Sequence, residues 1–379
     1  MIRRLALAIL VPLALAAPAR AQFAPGSPDD PDTPIDARTR AAVVESLAVA
    51  VRDHYVFADR GAALAKDLRQ RLARHEYDRI TGSREFADSL LAHLQSTTHD
   101  RHLRVHYRYQ PLPPQPAGDD HAADAGELRR QLELERVRNF GFERVQRLAG
   151  NVGYLDLRSF SGLPQAQATA VAAMNFLANA DAVIIDVRRN GGGDPVLLQT
   201  ILTYLVAPGD RLHINDFYQR AGDRTEQYWT AAQVPGPRLD GKPLYVLTSG
   251  NTGSCAEEFA YDVQTHRLGT LVGATTAGAA NPGGLFRLSD HLAAFIATGR
   301  AVNPVTKTNW EGVGVKPDVD VPAADALREA HVAALKKLLD ATRDDEGRAR
   351  LGRALELAKA TPSDPPDDFT REARRRGGS

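Results

Sequence analysis

The sequence predicts an α/β protein: a core of strands crossed by helices, preceded by a small bundle of three helices. Three observations carry this. Short apolar runs alternate with helical periodicity from Val152 to Val272. Three amphipathic segments with apolar residues three and four apart fill about 37–98. A run rich in Pro and Asp, residues 110–126, separates the two regions and reads as a linker or surface loop.

Residues 1–21 are set apart from the fold. Arg3 and Arg4 precede an apolar run from Leu5 to Ala17, and Ala19-Arg20-Ala21 fits a small-x-small cleavage signal. This predicts a cleaved signal peptide, a mature start at Gln22, and a periplasmic or secreted bacterial protein. The alternative is an uncleaved anchor, but the run is short and broken by Pro12. No membrane span is expected after signal removal. A flexible leader, 22–36, follows.

In the bundle, Val44, Leu47, Ala48, Val51 and Tyr55 share one helix face, and Leu64, Leu68 and Leu72 a second. The third helix is expected to start near Ser83, as its N-cap, and to bury Phe86, Leu90, Leu91 and Leu94. With the strand Leu103–Tyr107 it makes an N-terminal domain, 37–107; the linker is 108–126. The core domain, 127–322, opens with a helix from Glu127 to Leu148, breakable near Gly141. Strands are expected at 152–157, 183–187, 244–247 and 270–272, and helices at 165–178, 196–206 and 255–266. Helices at 323–360 and a disordered tail, 361–379, complete the chain.

A hydrophobic content of 43% with 25% charged residues suits a folded globular chain. Net charge is zero over the whole sequence, so there is no electrostatic case for nucleic acid. The single cysteine, Cys255, excludes an intrachain disulfide.

The chemistry concentrates at Pro243–Ala260, PLYVLTSGNTGSCAEEFA. A buried strand runs into a turn cluster, and a helix starts at or just after Ser254. A serine there can be an exposed nucleophile, with the Cys255 N–H aimed at the atom it attacks. Equally, Ser254 can simply cap the helix. Cys255 can be a nucleophile or a small, half-buried helix residue. After the strand at 183–187, Gly191-Gly192-Gly193 can bring the backbone close to an anion. It matches neither a phosphate loop nor a dinucleotide fingerprint, so an oxyanion site shared with Cys255 is the better use, and a plain turn is the alternative. His99 and His102 are close in sequence but lack metal-ligand spacing, so no metal is expected.

Several segments together resemble the C-terminal processing (tail-specific) peptidase family and its relatives, the tricorn protease core and the interphotoreceptor retinoid-binding protein repeats. They are Asn139–Glu143, Gly150–Leu157, Asp186–Gly193, Gly253–Glu257, Gly269–Gly273 and Gly312–Asp318. Coverage runs from about 37 to 322. The resemblance implies a ClpP/crotonase-like core and a three-helix N-terminal domain, and the linker at 110–126 shows no room for the PDZ domain that many tail-specific proteases insert. It implies a serine endopeptidase acting on polypeptides without cofactor.

Many relatives pair the serine with a lysine in a Gly-Lys-Gly turn. Here that turn is Ala277-Gly278-Ala279-Ala280, with Ala279 at the lysine position. The tricorn-like branch implies another base: Asp100-Arg101-His102 resembles its Asp-x-His segment, and Glu311 falls near its glutamate. The expected set is therefore Ser254 as nucleophile, His102 as base and acid, and Glu311 as orienting group. The N–H groups of Cys255 and of Gly192 or Gly193 would hold the oxyanion. The alternatives are a carrier of hydrophobic ligands on the same fold, favoured by the missing lysine, and an acyl-CoA enzyme, disfavoured by the export signal.

Overall fold

The computed structural model describes residues 30–98, 100, 102–112 and 125–369. Residues 1–21, most of the leader and most of the 108–126 linker lie outside them. Helices α1 (Ala37–His54), α2 (Ala58–Ala73) and α3 (Ser83–Thr98) form where the periodicity predicts. Asp36 starts α1 by accepting the Thr39 N–H at 2.7 Å, one of the orphan donors of a first helical turn. The faces bearing Val43, Val44, Leu47 and Val51, Leu64 and Leu68, and Phe86, Leu90 and Leu94 meet in one core.

That core is not closed by the bundle alone. Strand β1 (Arg104–Tyr107) follows α3, and its antiparallel partner comes from late in the chain. Leu103 and Val105 share the cluster with Leu292, Ala294 and Ile296.

Helix α4 (Ala125–Val137) stops earlier than the sequence suggested. Asn139, Phe140 and Gly141 take φ of 48°, 54° and 88°, which a right-handed helix cannot continue through. The rest of the expected helix is strand β2 (Phe142–Leu148), paired antiparallel with β3 (Val152–Leu157). Its exposed Glu143 and Arg144 suit an outer strand.

The remaining elements are α5 (Ala166–Leu177), β4 (Ala182–Asp186), α6 (Pro195–Leu205), β5 (His213–Gln219), β6 (Arg224–Trp229), β7 (Leu244–Thr248) and α7 (Cys255–Thr265). They continue with β8 (Thr270–Gly273), β9 (Gly283–Arg287), β10 (Leu292–Ala297), β11 (Gly299–Val302), β12 (Val319–Asp320), α8 (Ala326–Ala341) and α9 (Asp345–Lys359). The central sheet has the order β12-β8-β7-β4-β3-β2, parallel except for β2. β3, β4 and β7 are buried at every residue, as helices on both faces require. Leu155, Ile185 and Val246 pack with α5, α6 and α7; Tyr154, Ile184 and Leu247 pack with α8 and α9.

Two further sheets of three strands have the orders β1-β10-β9 and β11-β5-β6. Neither β5 nor β6 is among the strands expected from the sequence. Of the stretch 361–379, expected to be disordered, 361–369 packs on the core and ends in a short 3-10 turn, Pro366–Phe369, and 370–379 lies outside the described residues. Among the described residues no helix is long and apolar enough to cross a membrane.

The parallel strands aim their carboxyl ends at the loops 187–194 and 249–254, the edge where open α/β sheets place their sites.

Candidate active site

Ser254 joins β7 to α7 with φ 52° and ψ −123°. A non-glycine residue there costs on the order of 1–3 kcal/mol and persists only if its surroundings hold it. They do so from two sides. The Ser254 N–H donates to Glu257 Oε2 at 2.8 Å. The preceding turn is stitched to the loop after β4: Ser249 Oγ donates to the Arg188 carbonyl (2.5 Å), Thr252 Oγ1 to the Val187 carbonyl (2.8 Å), and the Gly253 N–H to the Asn190 carbonyl (3.0 Å).

Asn190 is fully buried and shapes the glycine run. Its Nδ2 donates to the Leu157 carbonyl at 3.0 Å, and its Oδ1 accepts the Gly192 N–H at 2.8 Å. Of the two glycines expected to offer an oxyanion donor, Gly192 therefore has its N–H turned to Asn190. Its contribution is space. At φ 114°, a Cβ on Gly192 would lie 2.8 Å from Ser254 Cβ and 3.1 Å from Cys255 N. Gly193, at φ 150°, presses against Phe160, whose carbonyl would be 1.9 Å from a Cβ. Cys255 is buried in the core beneath this turn.

His102 lies on the turn between α3 and β1. Asp100, almost wholly buried, builds that turn. Its Oδ1 accepts the N–H of His102 (2.8 Å) and of Leu103 (3.3 Å), and its Oδ2 accepts the Tyr55 hydroxyl (3.1 Å) and Asn281 Nδ2 (3.4 Å). Burial, and next the charge of Glu311, push the Asp100 carboxyl above its ordinary value. His102 Nδ1 lies 3.4 Å from Glu311 Oε2, a close contact without hydrogen-bond alignment. Such contacts are often loose without substrate. The imidazole also lies beside the ring of Phe295 on β10, at 5.9 Å between centroids. The pairing of β1 with β10 thus carries a histidine from near the start of the chain to the core.

Three successive amides connect the serine's helix to the histidine's partner. The Ala279 N–H donates to Glu257 Oε2 at 2.9 Å; those of Ala280 and Asn281 donate to Glu311 Oε2 at 2.6 and 3.0 Å. Glu257, wholly buried, also accepts the Thr276 hydroxyl and the Gly278 N–H, both at 2.6 Å. Burial raises its carboxyl and these hydrogen bonds pull it partly back. A cavity of about 340 Å³ opens beside Glu311, lined by Tyr55, Phe57, Arg60, Asn281 and Asn309 among others.

Asp100, His102 and Glu311 each bring one donor atom within 4.8 Å of the others, a spacing open to a cation. The oxygens of Asp100 and the inner oxygen of Glu311 already accept backbone and side-chain donors. The cluster therefore fits an acid–histidine arrangement better than a metal centre.

Comparison with known proteins agrees with this architecture. Residues 151–321 match the model of peptidase family S41, and residues 37–133 match the model of the N-terminal domain of Peptidase_S41 in eukaryotic IRBP. The chain belongs to peptidase family S41. It is 24% identical over 230 residues to the carboxy-terminal-processing protease of Bartonella bacilliformis, covering 59% of this chain and 50% of that protein. It is 27% identical over 206 residues to the chloroplastic carboxyl-terminal-processing peptidase 1 of Arabidopsis thaliana, covering 53% of this chain and 40% of that one. The chain thus spans half or less of the length of these relatives. Mature CPAF shares the fold, with a TM-score of 0.51 at 11% identity over 85% of this chain and 97% of that one. The S41 core and its three-helix N-terminal region are those expected from the sequence.

Ala279, where a lysine is expected in a peptidase of the Ser-Lys kind, contributes only backbone: its N–H donates to Glu257, and its carbonyl accepts Trp310 Nε1–H at 3.2 Å. From the sequence, Tyr55 belongs only to a helix face of the bundle, and Asn281 and Asn190 have no role in the site. Only Asn190 carried a local signal, lying beside the glycine triplet. The other two act through contacts to Asp100 across many residues.

Proposed function

We propose that this S41 protein is an exported serine endopeptidase that cleaves polypeptides through an acyl-enzyme. Ser254 Oγ attacks the scissile carbonyl carbon while His102 takes its proton. Nδ1 of His102 faces Glu311, so Nε2 is the nitrogen left for the serine, and the Glu311 carboxylate stabilises the imidazolium that forms. The amides of Cys255 and Gly193 hold the oxyanion. His102 then protonates the leaving amine as the C–N bond breaks, and water, deprotonated by His102, releases the acyl group and restores Ser254. The chemistry assigned to these side chains calls on no cofactor.

The observation that carries this reading is the run of amides 279–281, which ties Glu257, the carboxylate on the Ser254 N–H, to Glu311, the carboxylate beside His102. Export rests on the arginine-led apolar run of residues 1–21. The test is a peptide-library cleavage profile of the wild-type chain and of Ser254→Ala. Cleavage that disappears in the variant supports the proposal; cleavage that persists, or a wild-type chain that binds apolar ligands and cuts nothing, overturns it.

A further inference from the structure

Arg188 is a fully buried arginine that the proposed chemistry does not use. Its Nε and Nη2 grip Asp186 at 3.0 and 2.6 Å, its N–H donates to the same carboxylate at 3.0 Å, and Nη1 donates to the Ala323 carbonyl at 2.6 Å. The chain's last described residues complete its enclosure. Asp364 Oδ2 lies 2.8 Å from Nη2 as an ion pair, and the ring of Phe369 covers the guanidinium at 4.6 Å. Phe369 also lies 5.5 Å from the Arg189 guanidinium. The segment is anchored on the way: the Asp364 N–H donates to the Ala324 carbonyl at 2.9 Å, and Ser363 Oγ accepts from Arg328 Nη1 at 2.9 Å.

Arg188 also belongs to the loop that holds the nucleophile turn. Its carbonyl accepts Ser249 Oγ, and the next stitches, at Val187 and Asn190, lie within two residues of it. Asn190 in turn sets Gly192, which leaves no room beside Ser254. A buried guanidinium that loses one of two carboxylates and its aromatic cover must find other partners or let water in, and either moves the backbone it hangs from.

We infer that residues 361–369 are a strap that positions the nucleophile and glycine loops through Arg188, so that the C-terminal segment is a working part of the S41 site. Asp364, Phe369 and Arg188 are positioning residues; none touches substrate. The inference rests on Ser254 being the reacting group for its kinetic consequence, but not for its structural one.

The test compares the full chain with Asp364→Asn, Phe369→Ala and a chain ending at Thr361. Hydrogen–deuterium exchange of segments 188–193 and 249–254 is read alongside peptide-cleavage kinetics. The expected result is faster exchange in both loops in all three variants, with a melting temperature little changed in the point variants. kcat should fall about tenfold or more with KM nearly constant, as misplacement of reacting groups can cost up to ~10². Asp364→Glu should recover most of the loss. A synthetic peptide of residues 361–369 should restore kcat to the shortened chain. If the shortened chain does not fold, the two point variants carry the test. Unchanged exchange in both loops, or a strap variant that cleaves as fast as or faster than the full chain, would overturn the inference. Exchange that changes in a chain with no peptidase activity would uphold the strap and reject only the peptidase reading.

Discussion

His102 Nδ1 lies 3.4 Å from Glu311 Oε2, although more than half of the chain separates the two residues. The contact exists because β1, directly after His102, pairs with β10 rather than within its own bundle. The same carboxylate oxygen is held by the Ala280 and Asn281 amides, so it cannot swing away from the imidazole without giving up two hydrogen bonds. Replacing His102 by Ala should lower kcat by about 10²–10⁴, the usual worth of a positioned general base. Glu311→Gln keeps an acceptor for the two amides but loses the charge. It should cost less than His102→Ala and leave KM nearly unchanged. Steady-state cleavage of a fluorogenic peptide measures both, and an equal loss for Glu311→Gln and Ser254→Ala would argue for a wider collapse.

Gly192 and Gly193 differ in what a methyl group would meet, and their alanine variants should differ accordingly. In Gly192→Ala the Cβ points at Ser254 and the Cys255 amide, so the damage should fall on activity. In Gly193→Ala it drives into the Phe160 backbone, which should destabilise the fold by about 1–3 kcal/mol as overpacking does. Chemical denaturation together with kcat for each variant checks this. A Gly192→Ala protein with full activity would contradict the close packing of that glycine on Ser254.

Glu258 gives the molecule a pH dependence away from the reacting groups. It is almost fully buried on α7, where its Oε1 accepts Asn215 Nδ2 at 3.0 Å, and burial pushes its carboxyl up to about 7. Asp262, one turn further along, is raised too, by burial and then by Glu258; its Oδ2 has no partner among the described residues. The unfolded chain loses the Glu258 proton near 4.5, whereas the folded chain keeps it to about 7. Stability should therefore fall as pH rises through that window and level off above it, by about 3 kcal/mol from linkage. Glu258→Gln keeps the bond to Asn215 and removes the titration. Its advantage over wild type in urea midpoint should be small at pH 4.5 and largest at pH 8. A difference that does not vary with pH would count against this.

Much of the core was legible in the sequence because its strands are buried on both faces. Val183–Ile185 and Leu244–Leu247 read as apolar runs between turn residues for the same reason that helices cover them on both sides. The strand-to-helix turn at Ser254 was legible because a strand, a turn cluster and a helix start fall within a few residues. What the sequence hid is non-local. β2 reads as helix because Glu143, Arg144 and Arg147 are good helix formers, and only the left-handed residues 139–141 turn it into a strand. Strands β5 and β6 are half exposed and carry mixed polarity, so they lack the apolar run that marks the core strands. Residues 361–369 read as disordered from their Pro and Asp content, and their contacts reach a buried arginine nearly half the chain away. The acids that actually face His102 are Asp100, which lies beside it, and Glu311, which pairing of distant strands brings in.

The most direct measurement is reaction of the full chain with a fluorophosphonate probe, with the modified residue mapped by mass spectrometry. Stoichiometric labelling is expected at Ser254 and at no other residue, slowed at least a hundredfold in His102→Ala in keeping with the loss of a general base. No labelling of the wild-type chain, or labelling that His102→Ala leaves at the same rate, would contradict the assignment of Ser254 and His102 as the reacting pair.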